Sequence, residues 1–265
     1  MRLREALAEA ERRLEHAGVD TPRADAELLL AHFTGRSRTE IHAAPQREVD
    51  EALLEPLLRR REAREPLAYV LGEWGFRRLT LKTDSRALVP RPETEILVER
   101  GLALLGDLGE RPRVLDVGVG SGAIALAIAD EHPTAQVAGV DTSPAALELA
   151  RENARRLGLR VELRVSGIEA AAEGWDLVVA NPPYVRADEW ETLQPEIRKW
   201  EPRAALVGQG VHAEIARVAR TRTLVLEVGD GQAQQVAGEL AALGYEDITI
   251  TPDLTGRERV VEGRR

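Results

Sequence analysis

"VLDVGVGSGAIALAIA", residues 114–129, decides how this chain folds. Its first four residues are apolar apart from Asp116 and read as a buried strand. Gly118, Gly120 and Gly122 follow at alternate positions, and an unbroken run of Ala, Ile and Leu then carries a helix. Strand, glycine turn and helix open a parallel α/β unit. The turn of such a unit lies beyond the carboxyl end of its strand, where open α/β sheets bind ligands. Glycine permits the tight turn and lets a ligand approach the backbone closely.

The alternation continues outward from this stretch. Further strands are expected at residues 137–140, 161–165, 177–180, 224–228, 248–251 and 259–262. Helices are expected at 123–130, 144–157, 211–220 and 232–243, which makes the sheet largely parallel. The last two strands have no helix between them and should pair as an antiparallel hairpin. Towards the N-terminus the period changes. Leu3, Leu7, Ala10 and Leu14 recur at helical spacing. Thr21 and Pro22 open a second helix, which Gly35 closes. A third runs from about residue 49 to the arginines at 59–61, which read as a solvated helix end whose positive charge suits the helix dipole. "LGEWGFRRLTLKTDSRALVP", residues 71–90, reads as a short β-hairpin, and Pro92 opens the next helix. The expected organisation is a helical domain over 1–70, a hairpin linker over 71–90 and an α/β domain over 91–265.

Composition narrows the function classes. The chain has 265 residues, 43% of them hydrophobic, a net charge of −9 and no cysteine. That suffices for a sizeable core and excludes disulfides and thiolate metal sites. No apolar run approaches the ~20 residues that span a bilayer. The first residues include acids and no apolar leader, so a cytosolic protein is expected. The acidic balance argues against a broad grip on nucleic-acid phosphates.

Asp141 ends the strand after the glycine loop, where a carboxylate can accept hydrogen bonds from both ribose hydroxyls of an adenosine ligand. Two ligands fit. Gly118-x-Gly120-x-x-Ala123, with an acid about 20 residues on, matches the permissive dinucleotide fingerprint. Asp116 and Gly122 lean instead to S-adenosylmethionine, because D-x-G-x-G-x-G resembles the first motif of class I methyltransferases. Gly118, Val119, Gly120, Ser121, Gly122 and Asp141 are then the donor-binding candidates. Asp116 either caps loop N–H groups or holds the donor's ammonium.

A second motif lies in "VVANPPYVRADEW", residues 178–190. The strand ends in Asn181, one of only two asparagines in the chain. Pro182 holds Asn181 extended, and Pro183 constrains Pro182 in turn. Tyr184 supplies a flat face for stacking. Asn181 brings one acceptor and one donor. Its side-chain oxygen and the Pro182 carbonyl can take both N–H bonds of a planar nitrogen, holding it in line with an electrophilic methyl. His132 and His212 stand on helices and are expected at the surface, so the nitrogen's proton is expected to pass to water.

Asn-Pro-Pro-Tyr after a strand, downstream of the glycine loop, resembles amino-methyltransferases of two groups: DNA adenine N6-methyltransferases and protein glutamine N5-methyltransferases. "LVPRPETE" (residues 88–95), "WEPRAAL" (200–206) and "DLTGRERVV" (253–261) resemble hallmarks of the PrmC/HemK family. That resemblance implies a class I, Rossmann-like methyltransferase domain behind a small helical domain and a hairpin. It implies methyl transfer from S-adenosylmethionine, with S-adenosylhomocysteine as product, to the Gly-Gly-Gln glutamine of class I peptide-chain release factors. Asn181, Pro182, Pro183 and Tyr184 would bind the glutamine, with Arg91, Pro92, Glu93 and Thr94 bordering the pocket. The helical domain would help dock the release factor. Many members carry an acid and an aromatic near the adenine where this chain has Gly167 and Ile168, so backbone groups or Ile168 are expected to serve there. A nucleic-acid adenine methyltransferase and a binding module that keeps only the fold are the alternatives.

Overall fold

The computed structural model describes residues 1–265. Helices α1 (Leu3–His16), α2 (Pro22–Thr34), α3 (Arg38–Ala43), α4 (Glu51–Glu62) and α5 (Leu67–Leu71) come first. The hairpin strands β1 (Glu73–Phe76) and β2 (Leu79–Lys82) and helix α6 (Pro92–Leu105) follow. Then the chain alternates: β3 (Arg113–Val117), α7 (Ala123–Glu131), β4 (Gln136–Asp141), α8 (Pro144–Leu157), β5 (Glu162–Val165) and β6 (Trp175–Ala180). It closes with α9 (Pro195–Trp200), α10 (Val211–Val218), β7 (Thr221–Glu227), α11 (Ala233–Ala242), β8 (Glu246–Pro252) and β9 (Glu258–Arg264). Two compact units result: Met1–Glu73 with Gln194–Trp200, and Trp74–Leu193 with Glu201–Arg265.

The first unit is helical because its apolar residues recur every three or four positions. Leu3, Ala6, Leu7, Ala10 and Leu14 make one buried stripe on α1, packed with Leu29 and Leu30 of α2 and Leu54 and Leu58 of α4. Short α3 lacks such a stripe, and its start rests on Ser37 and Glu40, each capping the other's backbone N–H. The inclusion of α9 in this unit was not expected from sequence. Neither was the fate of the arginine run. Arg59 is exposed as read, but Arg61 is buried, bonded through Nε to Asp25 at 2.7 Å and through Nη2 to Glu196 of α9 at 2.8 Å. Helical spacing turned Arg61 inward beside two acids that lie far off in sequence.

The second unit is a seven-stranded sheet in the order β5-β4-β3-β6-β7-β9-β8. Strands β5 to β7 run parallel, and β9 and β8 turn back as the expected antiparallel pair. Successive residues face opposite sides, so Val114, Leu177, Val179 and Val225 join one core layer while Leu115, Val178, Leu224 and Leu226 join the other. Each such side chain, fully buried, contributes about 1.5–3 kcal/mol. The chain builds β3, β4 and β5 in one direction and then returns to the other side of β3 with β6. This reversal opens a crevice above β3 and β6.

The buried pair in the helical unit gives a stability test. Arg61→Met leaves the Asp25 carboxylate buried without its cation. It should lower unfolding free energy by about 3–5 kcal/mol, read as a lower urea midpoint for the helical unit.

Candidate active site

The crevice is built by two strand ends. Val117 pairs with Ala180, so the glycine loop and Asn181 leave neighbouring strands at the same level. Gly118, Gly120 and Gly122 have φ of 80°, 54° and 89°, left-handed values that side chains resist. Packing below the loop is equally strict. A Cβ on Gly139 of β4 would lie 2.6 Å from Val119, so only glycine lets the loop sit there.

Hydrogen bonds then fix the loop. The N–H groups of Gly118 and Val119 donate to the Val140 carbonyl at 2.8 and 2.9 Å. Asp141 receives the Gly120 N–H on Oδ2 at 3.0 Å and the Ser143 N–H on Oδ1 at 2.8 Å. Its carboxylate thus braces the loop while each oxygen keeps a lone pair for a further donor. Buried Asn153 of α8 holds the Ser121 carbonyl at 2.9 Å and both backbone groups of Lys82 on β2, at 3.1 and 2.7 Å. Asp116 lies wholly buried beneath the loop, accepts the Ala125 N–H at 3.1 Å and does not line the cavity. Burial pushes its carboxyl up to about 7, and Oδ1 has no hydrogen-bond partner.

The other wall comes from Asn181, Pro182 and Pro183. Asn181 Nδ2 donates to Thr94 Oγ1 at 3.2 Å, which turns Oδ1 the other way. The loop beyond is clamped to residues 206–208: Val185 donates to the Leu206 carbonyl at 2.9 Å, and Gly208 donates back to Val185 at 3.1 Å. Tyr184 is held by Gln232 Nε2 on its carbonyl at 3.1 Å, with its ring against Gly229. Burial, and then the Glu227 carboxylate, push its hydroxyl up to about 12. Tyr184 therefore packs behind the cavity wall instead of lining it, and exposed Pro92 does not line it either.

Arg91 does line it, held by Glu201, whose side chain is almost wholly covered and also accepts the Val89 N–H at 3.3 Å. One ion pair thereby joins the stretches 88–95 and 200–206. The resulting cavity of about 340 Å³ runs from Gly118, Val119, Gly120 and Ser121 past Asp141, Ser166, Gly167 and Ile168 to Thr94 and Asn181. A Cβ built on Gly118 would meet nothing within 4 Å, so the loop faces open space. Gly122 does not line the cavity; it packs against Leu126 and Ala150. A larger depression of about 1070 Å³ lies at the opposite ends of the strands, between Arg113, Gln136, Glu162 and Trp175, and touches none of these residues.

Two residues escaped the sequence reading. His212 is buried, not at the surface, with Nε2 on the Glu227 carbonyl at 2.9 Å. Its neighbours Val211 and Ile215 belong to the packed face of α10, and that helical spacing was its only signal. Glu227 ends β7 and is 1% exposed. An acid closing an apolar strand beside the crevice was legible as unusual.

The sequence comparisons agree with this geometry. The PrmC N-terminal domain family matches residues 5–72, and the methyltransferase small domain family matches residues 94–198. A release factor glutamine methyltransferase of Deinococcus radiodurans is 42% identical, over 100% of this chain and 99% of its own length. The chain belongs to the release factor glutamine methyltransferase family. A second member, from Rhodospirillum rubrum, is 41% identical over 96% of this chain and 82% of its own. Two solved structures share the fold: a methyltransferase from Pyrococcus furiosus (TM-score 0.52, 17% identity) and the human methyltransferase 10 domain containing protein (TM-score 0.52, 14% identity). Each alignment covers 69% of this chain and 87% of the other. The fold is therefore the Rossmann-like methyltransferase fold, and the family's cofactor is S-adenosylmethionine. No helix is long and apolar enough to cross a membrane.

Asp116 offers a pH test. Its folded-state carboxyl keeps a proton up to about 7, against 3.8 for an ordinary aspartate. Between those values the native state binds more protons than the unfolded chain, so stability falls as pH rises from about 4 to about 7. Asp116→Asn should flatten that slope in denaturation curves recorded across the window.

Proposed function

We propose that this protein transfers the methyl group of S-adenosylmethionine to the side-chain amide nitrogen of the glutamine in the Gly-Gly-Gln motif of class I release factors, in the cytoplasm. The observation that carries the reading is the Asn181 amide, pinned through its NH2 to Thr94, at the wall of the cavity that the glycine loop also lines.

The donor site fits an adenosine-bearing cation. Gly118 to Ser121 pass under it, and Asp141 has lone pairs for the ribose hydroxyls. Ser166, Gly167 and Ile168 border the adenine end with backbone and an apolar face, in place of an acid and an aromatic. Asp116, below the loop, holds the loop's helix by the Ala125 N–H and acts there as a brace. When bound, S-adenosylmethionine supplies an electrophilic methyl on a cationic sulfur.

The protein's work is on the acceptor. An amide nitrogen is a poor nucleophile because its lone pair is delocalised. Asn181 Oδ1 and the Pro182 carbonyl take the two N–H bonds of the glutamine amide, hold the nitrogen towards the methyl and stabilise the positive charge that grows on it. Arg91, set by Glu201, borders the entrance beside Pro92. Pro183 lines the cavity beside Pro182, and Tyr184 supports the acceptor loop from behind. The helical unit offers the surface on which a release factor docks.

Two measurements test this reading. With labelled donor, a class I release factor should take up label, and its Gly-Gly-Gln variant with alanine for the glutamine should not. Equal labelling of that variant, or labelling of duplex DNA, would overturn it. Asn181→Ala should lower kcat by roughly 100- to 1,000-fold, the usual effect of deleting one polar group at a developing charge. Calorimetric affinity for S-adenosylhomocysteine should change little, and activity within a few-fold of the parent would reduce Asn181 to a turn residue.

A further inference from the structure

The stretch "DLTGRERVV", residues 253–261, joins β8 to β9 and takes no part in the cavity. Most of its residues have a structural task. Asp253 Oδ1 accepts the Thr255 and Arg257 N–H groups at 2.9 and 3.1 Å and the Thr255 hydroxyl at 2.6 Å. The Asp253 N–H donates to the Arg257 carbonyl at 2.7 Å, and Gly256 supplies a φ of 85° for the turn. Buried Arg259 donates to Asp253 Oδ2 through Nη2 at 3.3 Å and to the Val228 carbonyl through Nη1 at 3.1 Å. Glu258 accepts from Gln234 at 2.7 Å, and Val260 and Val261 fill the two core layers. Leu254 is the exception. Its side chain is fully exposed, against 61% for Leu53 and 59% for Val165. A lone exposed leucine is ordinary on a protein surface. This one is carried on a turn that five hydrogen bonds and a buried arginine hold still.

Strand register locates it. Ala180 pairs with Leu226, and Glu227, the next residue of β7, pairs with Val260, so Asn181 comes level with Val260. β8 and β9 run past that level to the pair Pro252 and Glu258 before they turn. Two residues of strand carry the turn roughly 7 Å beyond Asn181, on the side where the crevice opens. β9 and β8 are the second and third strands from β6. At about 4.8 Å between strands, Leu254 lies roughly 10–15 Å along the edge from Asn181. Through Arg259 the turn is tied to Val228, next to Gly229, on which the Tyr184 ring packs.

A glutamine that reaches Asn181 does so on a short side chain, so the protein that carries it must lie against this same edge. A standard interface covers about 800 Å² of each partner, a disc of about 16 Å radius. Centred on Asn181, that disc takes in Leu254. We propose that Leu254 is a docking contact, inserted into an apolar hollow on the folded body of the methyl-acceptor protein beside its glutamine loop. This rests on the function proposed above and names one point at which the α/β unit grips its protein substrate. A braced turn suits the role, because the leucine surrenders little freedom when it is covered.

The test titrates a class I release factor into the full chain with S-adenosylhomocysteine bound, read by calorimetry, beside labelled-donor assays. Leu254→Asp should weaken affinity for the release factor roughly 10- to 100-fold, the range given by loss of one fully buried leucine contact. Leu254→Met keeps the apolar bulk and should stay within about two-fold. In both variants kcat at saturating release factor, affinity for S-adenosylhomocysteine and the urea midpoint should match the parent, because the side chain is fully exposed in the free protein. Parent-like affinity in Leu254→Asp overturns the inference. So does a loss accompanied by a lower urea midpoint or a lower kcat, which makes Leu254 structural. So does a parent dimer that Leu254→Asp dissociates in sedimentation, which assigns the side chain to a second copy of this chain. A parent that labels no release factor overturns the proposed function together with this inference, whereas labelling with parent-like affinity in Leu254→Asp overturns this inference alone.

Discussion

The parallel pairing of β3 with β6 is the constraint on which the site depends. It sets Val117 level with Ala180 and so delivers the glycine loop and Asn181 to one crevice edge. A shift of one residue would turn every side chain of β6 to the opposite face. It would bury Asn181 or withdraw it from the loop. Two apolar layers enforce the register, because Val178 and Ala180 pack on one side and Leu177 and Val179 on the other. The chemistry thus inherits its alignment from hydrophobic packing that never touches a ligand.

A second group of contacts ties the site to elements outside the strand ends. Glu201 joins Arg91 and the Val89 backbone, so residues 88–95 and 200–206 form one assembly beside the cavity. Asn153 joins the β2 backbone to the glycine loop. Both are buried polar groups with their bonds satisfied, which makes them exacting about geometry. The acceptor loop has a comparable brace in the bonds from Val185 and Gly208.

Much of this was legible in sequence. Local patterns located every strand of the main sheet, because alternating strands and helices punctuated by glycine and proline leave few readings. The glycine loop, Asp141 and Asn181 were legible for the same reason, as each sits at a strand end. What escaped were long-range partners. Nothing near Arg61 announces Asp25, and nothing near Asn181 announces Thr94, since the pairing strands and packing helices bring them together only after folding. The expectation that Tyr184 covers a ligand rested on its aromatic face and on the family resemblance, neither of which places the ring, and the ring lies against Gly229. Helices α3, α5 and α9 were missed because short helices carry too few residues for a periodic signal.

The proline after Asn181 has a consequence for the lifetime of the molecule. Asparagine side chains age by attack of the next residue's backbone nitrogen, which closes a five-membered imide and then opens to aspartate. Pro182 has no N–H to begin that attack. The chain's other asparagine, Asn153, is wholly buried within α8, where helical geometry keeps the next nitrogen away from the side chain. A protein with only two asparagines has set both where spontaneous deamidation is slowest. The turn that aims the amide also keeps it an amide, sparing the site a negative charge that would accumulate with age and heat.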